Sequence, residues 1–221
     1  MPEIEVISTH EHIIKFEASV PMAQITRAAI IYPGLAYTAN HPILKFATLC
    51  CAQNGFTPVL ASYEYRGVFE GKSEEHIQQI LADDARQIEA ALDCHLVHAT
   101  DRLLLGKSLG CFLIAHMNEA MGRADGIAWF TPNISYMPIW AAIKRHKKSF
   151  VGLGKLDKYF SHRLAENVAK HPGISLSLQP DLDHGLEAAD DVEKTISQQG
   201  AMIADLNHWF DTPSQKPNDL L

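Results

Sequence analysis

The stretch Leu103-Leu104-Leu105-Gly106-Lys107-Ser108-Leu109-Gly110-Cys111-Phe112-Leu113-Ile114-Ala115 decides how the rest of the chain is read. A short apolar run enters Gly-x-Ser-x-Gly, and a helix-like apolar segment follows at once. This is the sequence form of a nucleophile elbow: a strand, a sharp turn with serine at its tip, then a helix. The serine of such a turn sits in a cramped backbone conformation. Side chains at positions 106 and 110 would collide with the neighbouring strand and helix, so glycine is required at both. The turn lifts the hydroxyl above the sheet edge and places the N–H groups that begin the new helix beside it, where a negative oxygen can be held. A five-residue pattern alone is a moderate signal, and its flanks have to decide.

The bulk composition sets the frame. The 221 residues suffice for one medium domain with a full core. Hydrophobic residues make up 47% and charged residues 20%, as in ordinary globular proteins. A net charge of −7 argues against a nucleic-acid or anionic-membrane partner, because neither is drawn to an acidic surface. No run reaches the length of a transmembrane helix, and Met1-Pro2-Glu3-Ile4-Glu5 lacks the basic start and apolar core of a signal peptide. The four cysteines, Cys50, Cys51, Cys94 and Cys111, fall in predicted helices without a disulfide-like framework. They read as reduced thiols of a cytoplasmic protein. Of the twelve histidines, His95 and His98 come closest to a ligand cluster with Cys94, but no C-x-x-C or H-E-x-x-H spacing accompanies them. Neither a metal nor a cofactor is expected.

Outward from the elbow, apolar strands alternate with helices. Glu3 to Ser8 and Glu11 to Ala18 alternate across a short turn and predict an antiparallel hairpin. Strands are expected at Ala28–Tyr32, Phe56–Ala61, Arg102–Leu105, Gly126–Phe130, Ser149–Gly152 and Ile174–Leu178. Helices are expected at Pro42–Gln53, Glu74–Asp93, Leu109–Met121, Tyr136–Arg145, Asp157–Lys170 and Ala188–Phe210. This order predicts an α/β fold with a mostly parallel sheet of about eight strands and helices on both faces. Residues 1–211 read as one domain, and 212–221, with two prolines, as a frayed tail.

In such a sheet, ligands bind beyond the carboxyl ends of the strands, so a reactive residue belongs just after a strand. Three residues pass this filter: Ser108, Asp157 in Gly152-Leu153-Gly154-Lys155-Leu156-Asp157, and His184 in Pro180-Asp181-Leu182-Asp183-His184-Gly185-Leu186. Serine needs an imidazole to take its proton as it attacks. A carboxylate fixes the ring tautomer and stabilises the imidazolium that forms. Asp181 and Asp183 also lie near His184, and the tautomer argument does not separate them from Asp157. The loop after the first parallel strand, Tyr32-Pro33-Gly34-Leu35-Ala36-Tyr37-Thr38, is where an oxyanion stabiliser is expected. Its donors would be the backbone N–H groups of Leu35 and Leu109.

With these motifs in order, the chain resembles the α/β-hydrolase superfamily over nearly its whole length. Gly106-Lys107-Ser108-Leu109-Gly110 resembles the family's nucleophile turn, and Pro33-Gly34-Leu35 its oxyanion loop, with proline where histidine is more usual. Gly154-x-x-Asp157 resembles the acid loop, and Asp183-His184-Gly185-Leu186 the histidine loop. On that topology Asp157 is the acid. Tyr65-Arg66-Gly67 with Gly71-Lys72-Ser73 is similar to an Arg-Gly-x-Gly-x-Ser loop of many members, with two extra residues between Gly67 and Gly71. The connection from Phe130 to Ser149 is too short for the helical lid that many members carry, so the resemblance implies a lidless, open enzyme.

The expected activity is serine hydrolysis of a small ester-like bond, carboxylester, thioester, lactone or activated amide. The alternative is a catalytically silent member that binds a ligand or partner protein. Tyr37, His41, Tyr136, Met137 and Trp140 are the candidate substrate contacts, as an apolar wall is the usual design. Each has a blander reading, as core for the apolar ones and as a helix cap for His41. Arg66 is expected to salt-bridge locally. Oligomeric state is left open by the sequence.

Overall fold

A computed structural model of the chain describes residues 2–212. Its elements follow the apolar runs. The hairpin β1 (Glu3–Ile7) and β2 (Ile13–Ala18) comes first, then β3 (Arg27–Tyr32), α1 (Pro42–Gln53) and β4 (Thr57–Ser62). A short α2 (Arg66–Phe69) and the long α3 (Glu74–His95) lead to β5 (Asp101–Lys107), α4 (Leu109–His116) and α5 (Asn118–Arg123). Then come β6 (Gly126–Phe130), α6 (Met137–Arg145), β7 (Ser149–Gly154), α7 (His162–Lys170), β8 (Ile174–Gln179) and α8 (Val192–Asp211). The eight strands form one sheet in the order β1-β2-β4-β3-β5-β6-β7-β8. From β4 to β8 every pairing is parallel, and the hairpin joins β4 antiparallel, with Phe16 opposite Ala61.

The central strands are apolar throughout because both faces of the sheet are covered. Successive side chains point to opposite faces. Ile30, Tyr32, Leu104, Ile127 and Trp129 therefore pack under α3, α4 and α6, against Ile80, Ile88, Leu113 and Ile143. Ala29, Ile31, Leu105 and Phe130, one position out of step, meet Ile43 and Leu44 of α1 and Met202 and Leu206 of α8. The connection from β6 to β7 holds α6 and no cap domain.

Several helix ends differ from expectation, each for a local reason. The helix expected from Asp157 begins only at His162, because the Asp157 side chain accepts the Tyr159 N–H at 2.8 Å and holds a turn. The last helix begins at Val192 rather than Ala188. Leu186 and Asp190 have positive φ, which a helix cannot use, and Asp191 caps the new start by accepting the Lys194 N–H. The helix expected over Leu109–Met121 breaks at Met117, which turns extended, and the Ala120 N–H then reaches the Glu89 carboxylate. The loop expected over Tyr63–Ser73 contains α2, which absorbs the two extra residues, and turns at Gly71 with φ of 69°. The tail expected to fray from residue 212 lies, past Thr212, outside the described residues.

The hairpin is tied down at its tip. Asp84 of α3 is fully buried and accepts hydrogen bonds from Ser8 and from Tyr65 Oη at 2.8 Å, while His12 Nε2 lies 3.2 Å away. Burial alone would push the Asp84 carboxyl up; the contacts from His12, Ser8 and Tyr65 reverse this and leave it below its ordinary value.

Candidate active site

The turn between β5 and α4 carries Ser108 with φ 50° and ψ −106°, a conformation that costs a non-glycine residue about 1–3 kcal/mol. Its neighbours hold it there: the Ser108 N–H donates to the Phe130 carbonyl at 3.0 Å, and the Cys111 N–H to the Ser108 carbonyl at 3.0 Å. A Cβ on Gly110 would lie 2.0 Å from the Tyr32 carbonyl oxygen, so the new helix packs backbone to backbone on β3. At Gly106 a Cβ would fall 2.9 Å from the Gly110 carbonyl carbon. Glycine at both positions is thus dictated by contact.

Two further loops converge on this turn. After β7, the Lys155 N–H bonds the Gln179 carbonyl and the Leu156 N–H the Leu182 carbonyl, 3.0 Å in the second case, stitching the acid loop to the histidine loop. A side chain at Gly154 would meet the Leu182 carbonyl oxygen at 2.0 Å, and its absence lets the two backbones touch. The histidine loop is closed by a positive φ at Leu186 and by the Glu187 N–H donating to Asp183 Oδ1.

The result is a continuous chain of contacts. His184 Nε2 lies 2.8 Å from Ser108 Oγ, and His184 Nδ1 lies 2.8 Å from Asp157 Oδ2. The Asp157 side chain is 1% exposed, against 26% for His184, so the carboxylate is sealed while the ring keeps one open edge. Asp181 and Asp183, the alternative partners, are engaged elsewhere. Asp181 Oδ2 accepts from Gln198 Nε2 at 2.7 Å, and Asp183 Oδ1 serves its own loop.

Beside Ser108, the loop after β3 turns through Ala36 at φ 55°, with the Tyr37 N–H on the Gly34 carbonyl. Tyr63, directly after β4, donates from Oη to the Pro33 carbonyl and braces the loop. Among the described residues, neither the Leu35 N–H nor the Leu109 N–H has an acceptor, so both donors are free. A depression of about 330 Å³ adjoins this loop, with Gly34, Ala36, Tyr37, Tyr63 and Glu64 in its lining.

Solved structures of other proteins share this fold. A protein of unknown function from Agrobacterium tumefaciens superposes with a TM-score of 0.70 at 15% identity, covering 98% of this chain and 100% of its own. An α/β serine hydrolase without lid from Xanthomonas campestris gives 0.66 at 15% identity over 97% and 96% of the two chains. The esterase Pf2001 from Pyrococcus furiosus gives 0.64 at 8% identity over 94% and 90%. The chain has the α/β-hydrolase fold. No family model and no curated relative matches the sequence.

The α/β-hydrolase fold places the remaining candidates unevenly. Tyr37 stacks on His41 with ring centres 4.2 Å apart. His41 Nδ1 accepts the Thr38 N–H at 2.9 Å, which ties its ring into the loop preceding α1. Tyr136 packs on Phe112, and Trp140 lies beside Lys144, both partly buried against the core between the sheet and α6. Met137 is 67% exposed at the start of α6. Arg66 forms no ion pair among the described residues; only its backbone N–H donates to the Glu64 carboxylate.

Two residues that the sequence did not single out belong to this candidate site. Tyr159 donates its N–H to Asp157 Oδ1 and sets its ring edge-on to His184, centres 5.3 Å apart. Lys107, between the first glycine and the serine, is 3% exposed and donates from Nζ to the His184 carbonyl at 2.8 Å. A lysine ending a buried apolar strand was its only signal in the sequence.

Proposed function

We propose that the chain is a serine hydrolase that cleaves a small ester-like bond through an acyl-enzyme. One observation carries this reading: the Ser108–His184–Asp157 contact chain, at 2.8 Å in each link, on a strained strand-to-helix turn. Ser108 Oγ attacks the carbonyl carbon as His184 Nε2 takes its proton. The imidazolium passes that proton to the leaving alcohol, thiol or amine. A water then repeats the sequence on the acyl-enzyme and restores the serine. Asp157 holds the proton on Nδ1, so that Nε2 has a free lone pair for the serine. The Leu35 and Leu109 N–H groups are assigned to the oxyanion, where losing one donor typically costs about 10²–10³ in rate.

Ser108 is partly exposed and His184 turns toward it, which weighs against the silent binding-protein alternative. The reading needs no cofactor and takes a small molecule as its partner, with no nucleic acid or membrane involved. No helix among the described residues is long and apolar enough to cross a membrane. The unpaired state of all four cysteines fits a cytoplasmic setting. The deciding experiment is a fluorophosphonate probe followed by mapping of the adduct. Labelling at Ser108 is expected; an intact protein that stays unlabelled, or is labelled elsewhere, sinks the assignment.

Substrate size follows from the connection between β6 and β7. With α6 as the one helix between β6 and β7 and no cap domain there, little apolar area is available to a long acyl chain. Each methylene buried is worth about 0.8 kcal/mol, and here that gain ends after a few carbons. Acetyl to butyryl p-nitrophenyl esters are therefore expected to be cleaved with higher kcat/KM than dodecanoyl and longer ones, without activation at an oil–water interface. A steady rise through the long chains would show a deep apolar tunnel instead.

A further inference from the structure

Lys107 has no assigned part in the chemistry described above, yet it is the most deeply buried cation beside it. Burying an ammonium is costly unless something compensates, and an apolar side chain of the same length would fill the space without that cost. Lys107 forms no ion pair among the described residues. What it does touch is specific. Its Nζ donates to the His184 carbonyl at 2.8 Å and lies 4.4 Å from the centre of the Tyr37 ring. A Cβ on Gly34 would lie 3.3 Å from Lys107 Cδ, so the stem runs directly beneath the loop that carries Leu35. One side chain, rooted next to Ser108, thus meets the histidine loop and the oxyanion loop together.

We propose that Lys107 is a positioning residue of the hydrolase site, whose charged ammonium locks the His184 loop and the Leu35 loop in register with Ser108. The proposal rests on the serine-hydrolase reading and specifies how its three loops are held to one another. A charge-assisted bond to the carbonyl is roughly twice as strong as a neutral one and fixes the backbone of the residue whose ring must meet Ser108 Oγ. The ammonium over Tyr37 adds a cation–π attraction that is favoured where water is excluded. A shift of about 1 Å in such an arrangement can cost about 10²-fold in rate.

The charge state gives the proposal a signature. Burial pulls the Lys107 ammonium down to about 8, with the carboxylates of Asp157, Asp183 and Glu187 holding it from falling further and the Cys111 thiol beside it. These groups face it from α4, the acid loop and the histidine loop, and Tyr37 faces it from the oxyanion loop. Burial pushes Cys111 up to about 12 and raises Tyr37 as well, so neither titrates in the same range. The lock is therefore complete only well below pH 8 and weakens as pH rises through 8, because a neutral amine keeps only an uncharged bond to the carbonyl and no cation over Tyr37.

The test uses the second-order rate of labelling by a fluorophosphonate probe between pH 6 and 10, with melting temperatures recorded alongside. In the wild type the rate is expected to fall by about threefold to tenfold as pH rises through 8, the loss of charge assistance. Lys107→Met is expected to label about 10- to 100-fold more slowly at pH 7.5, to show no fall through 8, and to melt at or above the wild-type temperature. Lys107→Arg, charged throughout, keeps a measurable rate and loses the alkaline limb. A Lys107→Met variant that labels at the wild-type rate with the same alkaline limb overturns the proposal. So does one that is merely less stable, which would make the lysine a structural brace. Should Lys107→Met not fold, the other two profiles decide: no limb in the wild type, or an unmoved limb in Lys107→Arg, overturns it. A wild type that does not label at all refutes the serine-hydrolase reading itself and takes this proposal with it, whereas a labelled wild type with an indifferent Lys107 refutes the proposal alone.

Discussion

Ser108→Ala is expected to lower kcat by about 10⁶ on the best ester found, since removing the nucleophile of a serine–histidine–carboxylate unit costs about as much as removing the whole unit. Its fold should survive. Among the described residues the Ser108 hydroxyl hydrogen-bonds His184 alone, so deleting it leaves the backbone bonds from Ser108 to Phe130 and from Cys111 to Ser108 in place. Backbone strain and chemistry can then be separated. Alanine inherits the positive φ, whereas glycine takes it without penalty. Ser108→Gly is thus expected to melt about 2–4 °C above Ser108→Ala, the shift that about 1 kcal/mol produces in a domain of this size. Both variants should be inert to the fluorophosphonate. Retention of more than about a thousandth of wild-type kcat by the alanine variant, well above what binding and oxyanion donors alone supply, would move the nucleophile elsewhere.

The second large effect is at Asp157. Asp157→Asn is expected to lower kcat by about 10⁴ with little change in KM, because it reverses the tautomer of His184. The local geometry leaves the asparagine no choice. The Tyr159 N–H donates to Oδ1, so the amide oxygen must stay there and the NH₂ group must face His184 Nδ1. The ring then accepts at Nδ1 and carries its proton on Nε2, pointed at a hydroxyl whose proton it should receive. A loss of less than tenfold would transfer the role to Asp181 or Asp183, each of which would first have to leave its present partner, Gln198 or the Glu187 N–H.

Much of this was legible because it is written in local chemistry. The β5 run into Gly106-Lys107-Ser108-Leu109-Gly110 specifies a strand, a turn and a helix, and the glycines are where the backbones touch. Strands buried on both faces read as continuous apolar runs, so β3, β6 and β7 could be placed closely. What escaped depends on partners distant in sequence. The helical pattern after Asp157 continues backward into a turn that only the bonded Tyr159 N–H reveals. The break at Met117 goes with a carboxylate 31 positions from Ala120. Lys107 looks like any solvated strand-end lysine until the His184 carbonyl, 77 positions away, is placed above it. Of the apolar candidates, Tyr136 and Trp140 lie against the core on the α6 side, a placement that sequence alone could not separate from a pocket wall.

The strand order has a kinetic consequence. Because β2 pairs with β4 and not with β3, residues 3–18 are stitched to the sheet along one side only and can peel away without disturbing a parallel pairing. Val6 is the one buried side chain of β1, so this opening exposes little more than the inward face of β2 and the bonds at Asp84. Such a unit opens at a lower free energy than the global transition. In native-state hydrogen exchange the β1 and β2 amides are expected to form a separate early-opening group, while β3, β5 and β6 exchange only on global unfolding. The Asp84 carboxyl lies below its ordinary value of 3.8, so its contribution is present above that value and lost as pH falls through the depressed one. Acid should therefore lower the opening energy of the hairpin ahead of that of the central strands. Uniform protection across all eight strands at every pH would mean that the sheet opens as one piece. An exchange-defined hairpin would instead make residues 3–18 a hinged flap on an otherwise continuous parallel sheet.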